Sequence, residues 1–287
     1  SGALGRGWTH NFASNVSVGS DGFQGLGEDS ALDAVATIVE QMVSLDLMAD
    51  TTKPLDKMVV ATLAQRWFGD QLINNTVIVK QGPNGEVFVK LPDGSYNAPP
   101  GKPNKLIKNG DGTYSYETAN KAKLNFNSAG KIATFVHPSG VQANFTYSSS
   151  DLVQVQNSLG RTLTFTNSAG RVTQISDGTR TVKYAYDASG NLTTFTDAAN
   201  QNTTFQYDQP GRMTKLFYPS NPFNAFLTNV YDSLGRVMTQ TNANGQLYSY
   251  FFAGSRSEER APDGGRLISY LDSLGQVTRS IDPAGRV

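Results

Sequence analysis

The chain has 287 residues, 38% of them hydrophobic and 17% charged, with 28 glycines and zero formal net charge. That balance is too apolar for a disordered chain, and without a Lys/Arg cluster it argues against nucleic-acid binding. Cysteine is absent, which excludes disulfides, thiol catalysis and zinc–thiolate sites, and no apolar run approaches the ~20 residues of a membrane-spanning helix.

The chain opens "SGALGRGWTH", with neither the basic nor the apolar region of a signal peptide, and it starts and stops mid-pattern as a piece of a longer protein would. Residues 1–75 carry nine acids against four bases, so the remainder has fifteen against twenty. His10 stands in "GWTHN" with no ligand spacing around it and reads as structural. Asp21 in "GSDGF" and Asp111 in "NGDGTY" read as β-turns, because a calcium loop needs alternating acids and a distal Glu.

From Ser30 to Phe68 the pattern turns helical. Ser30 with Asp33 resembles a capping box, and Leu32, Val35, Val39, Met42 and Val43 follow helical spacing. Pro54 suits the first turn of a second helix, with Leu55, Met58, Leu63 and Trp67 on or near one stripe and a stop at Gly69. Residues 77–126 return to strands, with turn signals at Asn84-Gly85, Asp93-Gly94 and Asp111-Gly112 and a Pro-rich loop at 98–103.

Beyond residue 126 the chain repeats itself. "YDASGNL" at 186–192 is followed by "YDQPGRM" at 207–213, "YDSLGRV" at 231–237 and the weaker "LDSLGQV" at 271–277. The turn glycines Gly130, Gly170, Gly190, Gly211, Gly235, Gly254 and Gly275 step by about twenty residues, with one gap of forty. A second glycine divides most units: Gly140, Gly160, Gly178, Gly245, Gly265 and Gly285, with Asn200 taking the place once. Each unit therefore reads turn, strand, turn, strand. Arg171–Ser176 and Thr181–Tyr186 are one such pair of strands, and Val182, Tyr184 and Tyr186 share a face. The near-constant period favours stacked hairpins over a sandwich or barrel, whose corners differ from one another.

These residues resemble the YD repeat of the RHS family, shared by bacterial RHS proteins, the toxin-complex C component and the teneurin extracellular region. "LGRGWTHNF" at 4–12 resembles the stretch that opens an RHS repeat region, and "DGTYSYETANKAKLNFNSAGKIATFVHPSG" its entry into the repeats. The resemblance covers residues 1–27 and about 77–287; the helices at 28–75 depart from it. It implies a β-sheet spiralling into a hollow shell, which in some members encloses a C-terminal toxin or effector.

Each candidate site has a plain structural reading. Tyr186, Asp187, Gly190, Tyr207, Asp208, Gly211, Tyr231, Asp232, Gly235, Asp272 and Gly275 are repeat-turn residues: Tyr packs on the neighbouring unit, Asp caps the turn and Gly supplies φ > 0. His137 precedes Pro138 in a repeat turn. "DPAGRV" at 282–287 shares Asp-Pro-x-Gly with the aspartyl self-cleavage segment of cargo-releasing RHS proteins; Asp282 reads as a repeat turn. "GSRSEERAPDGG" at 254–265, with Arg256, Glu258, Glu259 and Arg260, reads as a solvated loop. Phe223 and Phe226 in "PSNPFNAFL" either form an exposed contact site or tuck under the loop. A glycosidase using acids such as Glu86 and Asp93 is a distant alternative, since nothing places them across a sugar.

The expectation is a mostly β chain of repeated antiparallel β-hairpins forming a spiralling sheet or partial shell, with a small inserted helical hairpin. Its divisions are an entry segment at 1–27, the helical hairpin at 28–75, a β entry region at 76–126 and the repeat array at 127–287. It is expected to be a non-enzymatic wall segment of a large secreted or cell-surface bacterial protein, with no metal and no cofactor. Its partners are the rest of the parent chain and either an enclosed effector domain or glycans, with no nucleic acid and no membrane span in this segment. The alternative is a surface adhesion module that binds glycans or a protein partner through exposed aromatics and turns.

Overall fold

Alternating apolar and polar positions become twenty-two strands, and the helical stretches become two helices, in the residues that this computed structural model describes: 2–20, 31–47, 53–272, 275 and 277–287. The turn at Asp21 and the capping residue Ser30 lie outside the described residues. Two compact units divide the chain. The N-terminal unit comprises Thr9–Ser148 and Gln154–Thr162; the C-terminal unit comprises the opening segment through Trp8, Ser149–Val153 and Leu163–Val287.

In the N-terminal unit, Ser14–Gly19, Thr76–Gln81, Asn84–Lys90 and Tyr96–Asn97 form a four-stranded antiparallel sheet. Its Val16, Val77, Val79 and Phe88 pack with Leu106, Tyr116, Leu124 and Phe126 from the hairpins that follow, and the Phe88 and Tyr116 rings meet edge-on at 6.0 Å. Asn84-Gly85 is not the turn that the sequence signals. Gly82, at φ 58°, and Pro83 make the two-residue turn, while Asn84 and Gly85 pair with Gln81 and Lys80. Glycine at the first turn position supplies the primed geometry, which outranks the Asn-Gly signal next to it.

The helices α1 (Ala31–Ser44) and α2 (Pro54–Leu72) pack on each other. Alanine and valine on α1 carry the buried face, at Ala34, Val35 and Val39. Leu55, Met58, Leu63 and Trp67 do share the outside of α2, where Leu55 is 70% exposed. The helix also runs past Gly69 to Leu72. The Gly69 carbonyl accepts the Ile73 N–H at 2.9 Å, and left-handed Asn74 (φ 54°) follows the stop. A glycine inside a last turn ends nothing when its backbone stays helical.

In the C-terminal unit, the strands from Thr162–Ser168 to Val277–Ile281 pair antiparallel in chain order. Arg171–Ser176 and Thr181–Tyr186 are strands with Ile175 opposite Val182. The ladder slips by a bulge at one recurring place, so that Tyr186 faces Leu192, Tyr207 faces Met213, Tyr231 faces Val237 and Leu271 faces Val277. Two expectations need correction here. Arg256–Arg260 is a strand, not a solvated loop, and Glu258 on it is buried between two arginines. The mid-unit glycine with positive φ is Gly264 (85°), one residue before Gly265.

Candidate functional site: the repeat corner

A corner needs its chain to reverse while every turn amide finds an acceptor. At Asp232 one carboxylate supplies several: Oδ1 accepts the N–H of Leu234 and of Arg236, each at 2.9 Å, and Oδ2 accepts Arg236 Nε at 2.8 Å. Backbone bonds close the same turn, from Gly235 N to Asp232 O at 3.0 Å and from Asp232 N to Arg236 O at 2.9 Å. Short Asp and Asn side chains reach their own backbone two residues on, and that reach makes them turn residues. Asp282 repeats the arrangement, and Asn127, Asn157, Asp197 and Asn242 repeat the double acceptance at Oδ1. His137 takes the position once, its Nδ1 lying 3.2 Å from the Ser139 backbone nitrogen and 2.8 Å from the Ser139 hydroxyl.

The other copies vary in how the acid is used. Asp187 accepts the Asn191 N–H and the Asn191 side-chain amide, both at 2.8 Å. Asp208 holds Arg212 with two bonds, at 2.8 and 2.6 Å, beside a tight turn in which Gln209 pairs with Arg212. Gly275 donates its N–H to the Asp272 carbonyl at 3.0 Å. Gly190, Gly211, Gly235 and Gly275 have φ between 76° and 79°, the left-handed region that favours glycine. Backbone amides and the facing arginine hold the Asp232 and Asp282 carboxyls below the ordinary carboxylate range. Asp177, whose carboxylate accepts the Arg180 amide and guanidinium, is brought down to about 2.

Each corner is also tied to the next. The Tyr186 hydroxyl donates to Val172 O and the Tyr231 hydroxyl to Met213 O, both at 2.6 Å. Burial pushes the Tyr186 phenol up to about 12. The residue after the turn glycine makes a second tie at several corners. Arg171 lies 5.8 Å from the Tyr186 ring, Arg212 5.2 Å from Tyr231, Arg236 4.8 Å from Phe252 and Lys131 5.2 Å from Tyr147. A cation over an aromatic face is attractive, and here it joins consecutive units. The i,i+4 pairs Asp208–Arg212, Asp232–Arg236 and Asp282–Arg286 were the signal in the sequence.

The remaining candidates separate cleanly. Phe223 is 92% exposed, whereas Phe226 stacks edge-on with Tyr218 at 4.6 Å and donates its N–H to Leu216 O. Glu86 accepts the Asn104 amide at 2.8 Å and the Tyr116 hydroxyl at 3.0 Å. Asp93 and Asp111 cap turns at Ser95 and Thr113. Burial beside Phe12 lowers the His10 imidazole from its ordinary value. Among the described residues no three His, Asp or Glu side chains gather as a metal site would require.

Residues 101–286 match the family model of the teneurin YD-shell. The chain belongs to this family. Among solved structures, a TcdB2-TccC3-Cdc42 complex matches at 13% identity with a TM-score of 0.35 over 74% of this chain and 15% of that one. TcdB2-TccC3 matches at 13% identity with a TM-score of 0.37 over the same shares, and a Photorhabdus luminescens Tc holotoxin pore at 13% identity with a TM-score of 0.33 over 71% and 15%. The YD-shell chain thus spans 15% of the length of these relatives. No curated protein matches it. It is a structural segment of RHS/YD-repeat type.

Proposed function

We propose that this YD-shell segment builds the wall of a larger, non-enzymatic secreted or cell-surface shell, and that the parent shell encloses a C-terminal effector. The supporting observation is where the polar chemistry of the corners goes. Asp232 and Asp282 bind their own turns, and Arg171, Arg212 and Arg236 reach the aromatic of the next unit. Groups committed to joining units serve continuity of the wall. The segment is read as an entry stretch at 1–27, a helical insertion at 28–75, a β entry region at 76–126 and a repeat array at 127–287, with Tyr186, Asp187, Gly190 and their counterparts as joints. The test is limited proteolysis of the secreted full-length parent. Protection of the polypeptide after the repeats until the wall is breached supports enclosure; cleavage at the rate of a free polypeptide overturns it.

Exposed Phe223 favours a second reading, adhesion to a glycan or a protein partner. A glycan array probed with this chain and with Phe223→Ser decides it. Specific binding lost in the variant supports adhesion, and no binding removes the glycan branch.

A further inference from the structure

Within the C-terminal unit, the residue after the turn glycine is arginine at 171, 212 and 236, asparagine at 191, serine at 255 and glutamine at 276, and the three arginines each cover an aromatic of the following unit. Arg171 covers the Tyr186 ring and crosses Gly190 so closely that a Cβ there would collide with its guanidinium. Arg212 and Arg236 cover Tyr231 and Phe252. The corner between them has Asn191 at the arginine position. Asn191 is 4% exposed and spent locally: its amide donates to Asp187 Oδ2 at 2.8 Å and accepts the Gly211 N–H at 2.7 Å. Among the described residues, no arginine from the repeats lies over Tyr207 as Arg171 does over Tyr186 and Arg212 over Tyr231.

The opening segment of the chain occupies that place. Arg6 crosses Gly211 as Arg171 crosses Gly190, close enough that a Cβ on Gly211 would collide with its stem. Gly5, at φ 90°, comes so near the next turn that a Cβ on it would lie 2.7 Å from Gly190 O. The Trp8 indole donates to the Tyr207 hydroxyl at 2.8 Å, and its ring lies 4.7 Å from Phe205. Upstream, Ala3 O accepts the Val172 N–H at 2.8 Å.

We propose that the corner at Asn191 is a binding site for a glycine-arginine-glycine-aromatic segment, supplied here by residues 5–8, and that the missing arginine at 191 creates it. The features recognised are specific. Two glycines at φ 90° and 80° allow the backbone to lie against the turn without strain. The arginine stem fills the space left over Gly211, and the indole offers a donor and a flat face together. This site goes beyond the wall role, since a separate segment is held by side chains and not by a strand ladder.

The test uses the full chain with Trp67→Phe, which leaves Trp8 as the only tryptophan. Asn191→Arg restores the residue found at Arg171, Arg212 and Arg236. The expected result is a red shift of Trp8 emission and trypsin cleavage after Arg6 faster by about tenfold or more, with the circular dichroism of the repeats retained. A folded Asn191→Arg chain with unchanged emission and cleavage overturns the proposal. A second measurement does not need that variant. The Trp8→Ala chain is titrated with a labelled peptide, GALGRGWTHN. Saturable binding that falls about tenfold or more when the peptide's Arg or Trp is replaced by Ala supports the site. No saturable binding up to ~1 mM, or binding indifferent to both replacements, overturns it.

Discussion

At Asp232, two turn amides and a guanidinium share one carboxylate, so its loss leaves three donors to find other acceptors. Asp232→Ala is expected to lower the melting temperature, and Asp232→Asn to restore most of the loss, because Asn127 and Asn157 make the same pair of amide bonds. Gly190→Val combines strain at φ 79° with a collision against Arg171, so it is expected to cost about 1–3 kcal/mol in chemical denaturation. Gly178→Val, at φ 92° but in open space, should cost less. The repeat period marks Gly190 as a turn residue; the guanidinium packed on it belongs to a residue nineteen positions earlier and leaves no local trace. Glu258 carries a pH signature. Arg260 and Arg256 bring its carboxyl from 4.5 down to about 2. A lowered folded value means that its stabilisation is complete above the ordinary carboxylate range and is lost as pH falls from about 4.5 towards 2. Glu258→Gln should flatten the slope of stability against pH in that window.

Among the elements, the hairpins were readable because alternation and turn glycines act over a few residues. The bulges were not. Pairing Tyr186 with Leu192 and Tyr231 with Val237 requires the ladder to slip, and periodicity cannot show a slip. Tyr231→Phe isolates the tie that follows from it: losing the bond to Met213 O should cost about 0.5–1.5 kcal/mol by urea titration, with the ring contact to Arg212 kept. The charged strand Arg256–Arg260 was misread for a different reason. Charge runs are ordinarily solvated, but here Glu258 is the buried position of its strand, with an arginine on either side. The helical spacing of α2 was legible, yet it could not say whether its apolar stripe faces in or out. Leu63→Ser should therefore change stability by less than about 0.5 kcal/mol, whereas Val35→Ala, at a buried position, should cost roughly 1–3 kcal/mol.

Over the whole molecule, burial is uneven. Val77, Phe88, Tyr116 and Phe126 are fully enclosed in the N-terminal unit, while Leu247 and Val277 in the late repeats are half exposed or more. Amide exchange measured on the intact chain should accordingly be slower across 105–136 than across 237–281. Equal protection in the two stretches would show that the late repeats draw stability from something besides their own packing. The family resemblance was carried by the Tyr-Asp-x-x-Gly motifs and the Gly-Trp-Thr-His opening; the covering of one corner by the chain's opening segment was not legible, because the two lie about two hundred residues apart.

Near-identical corners pose a counting problem for a folding chain, since a segment that docks on one could dock one unit early or late. Asn191 removes the ambiguity. Displaced one unit early, the opening segment would meet Arg171 already lying across Gly190; displaced one unit late, it would meet Arg212 already over the Tyr231 ring. A unit that lacks the arginine of both its neighbours is thus an address that sets the beginning of the chain against a particular turn of the repeat.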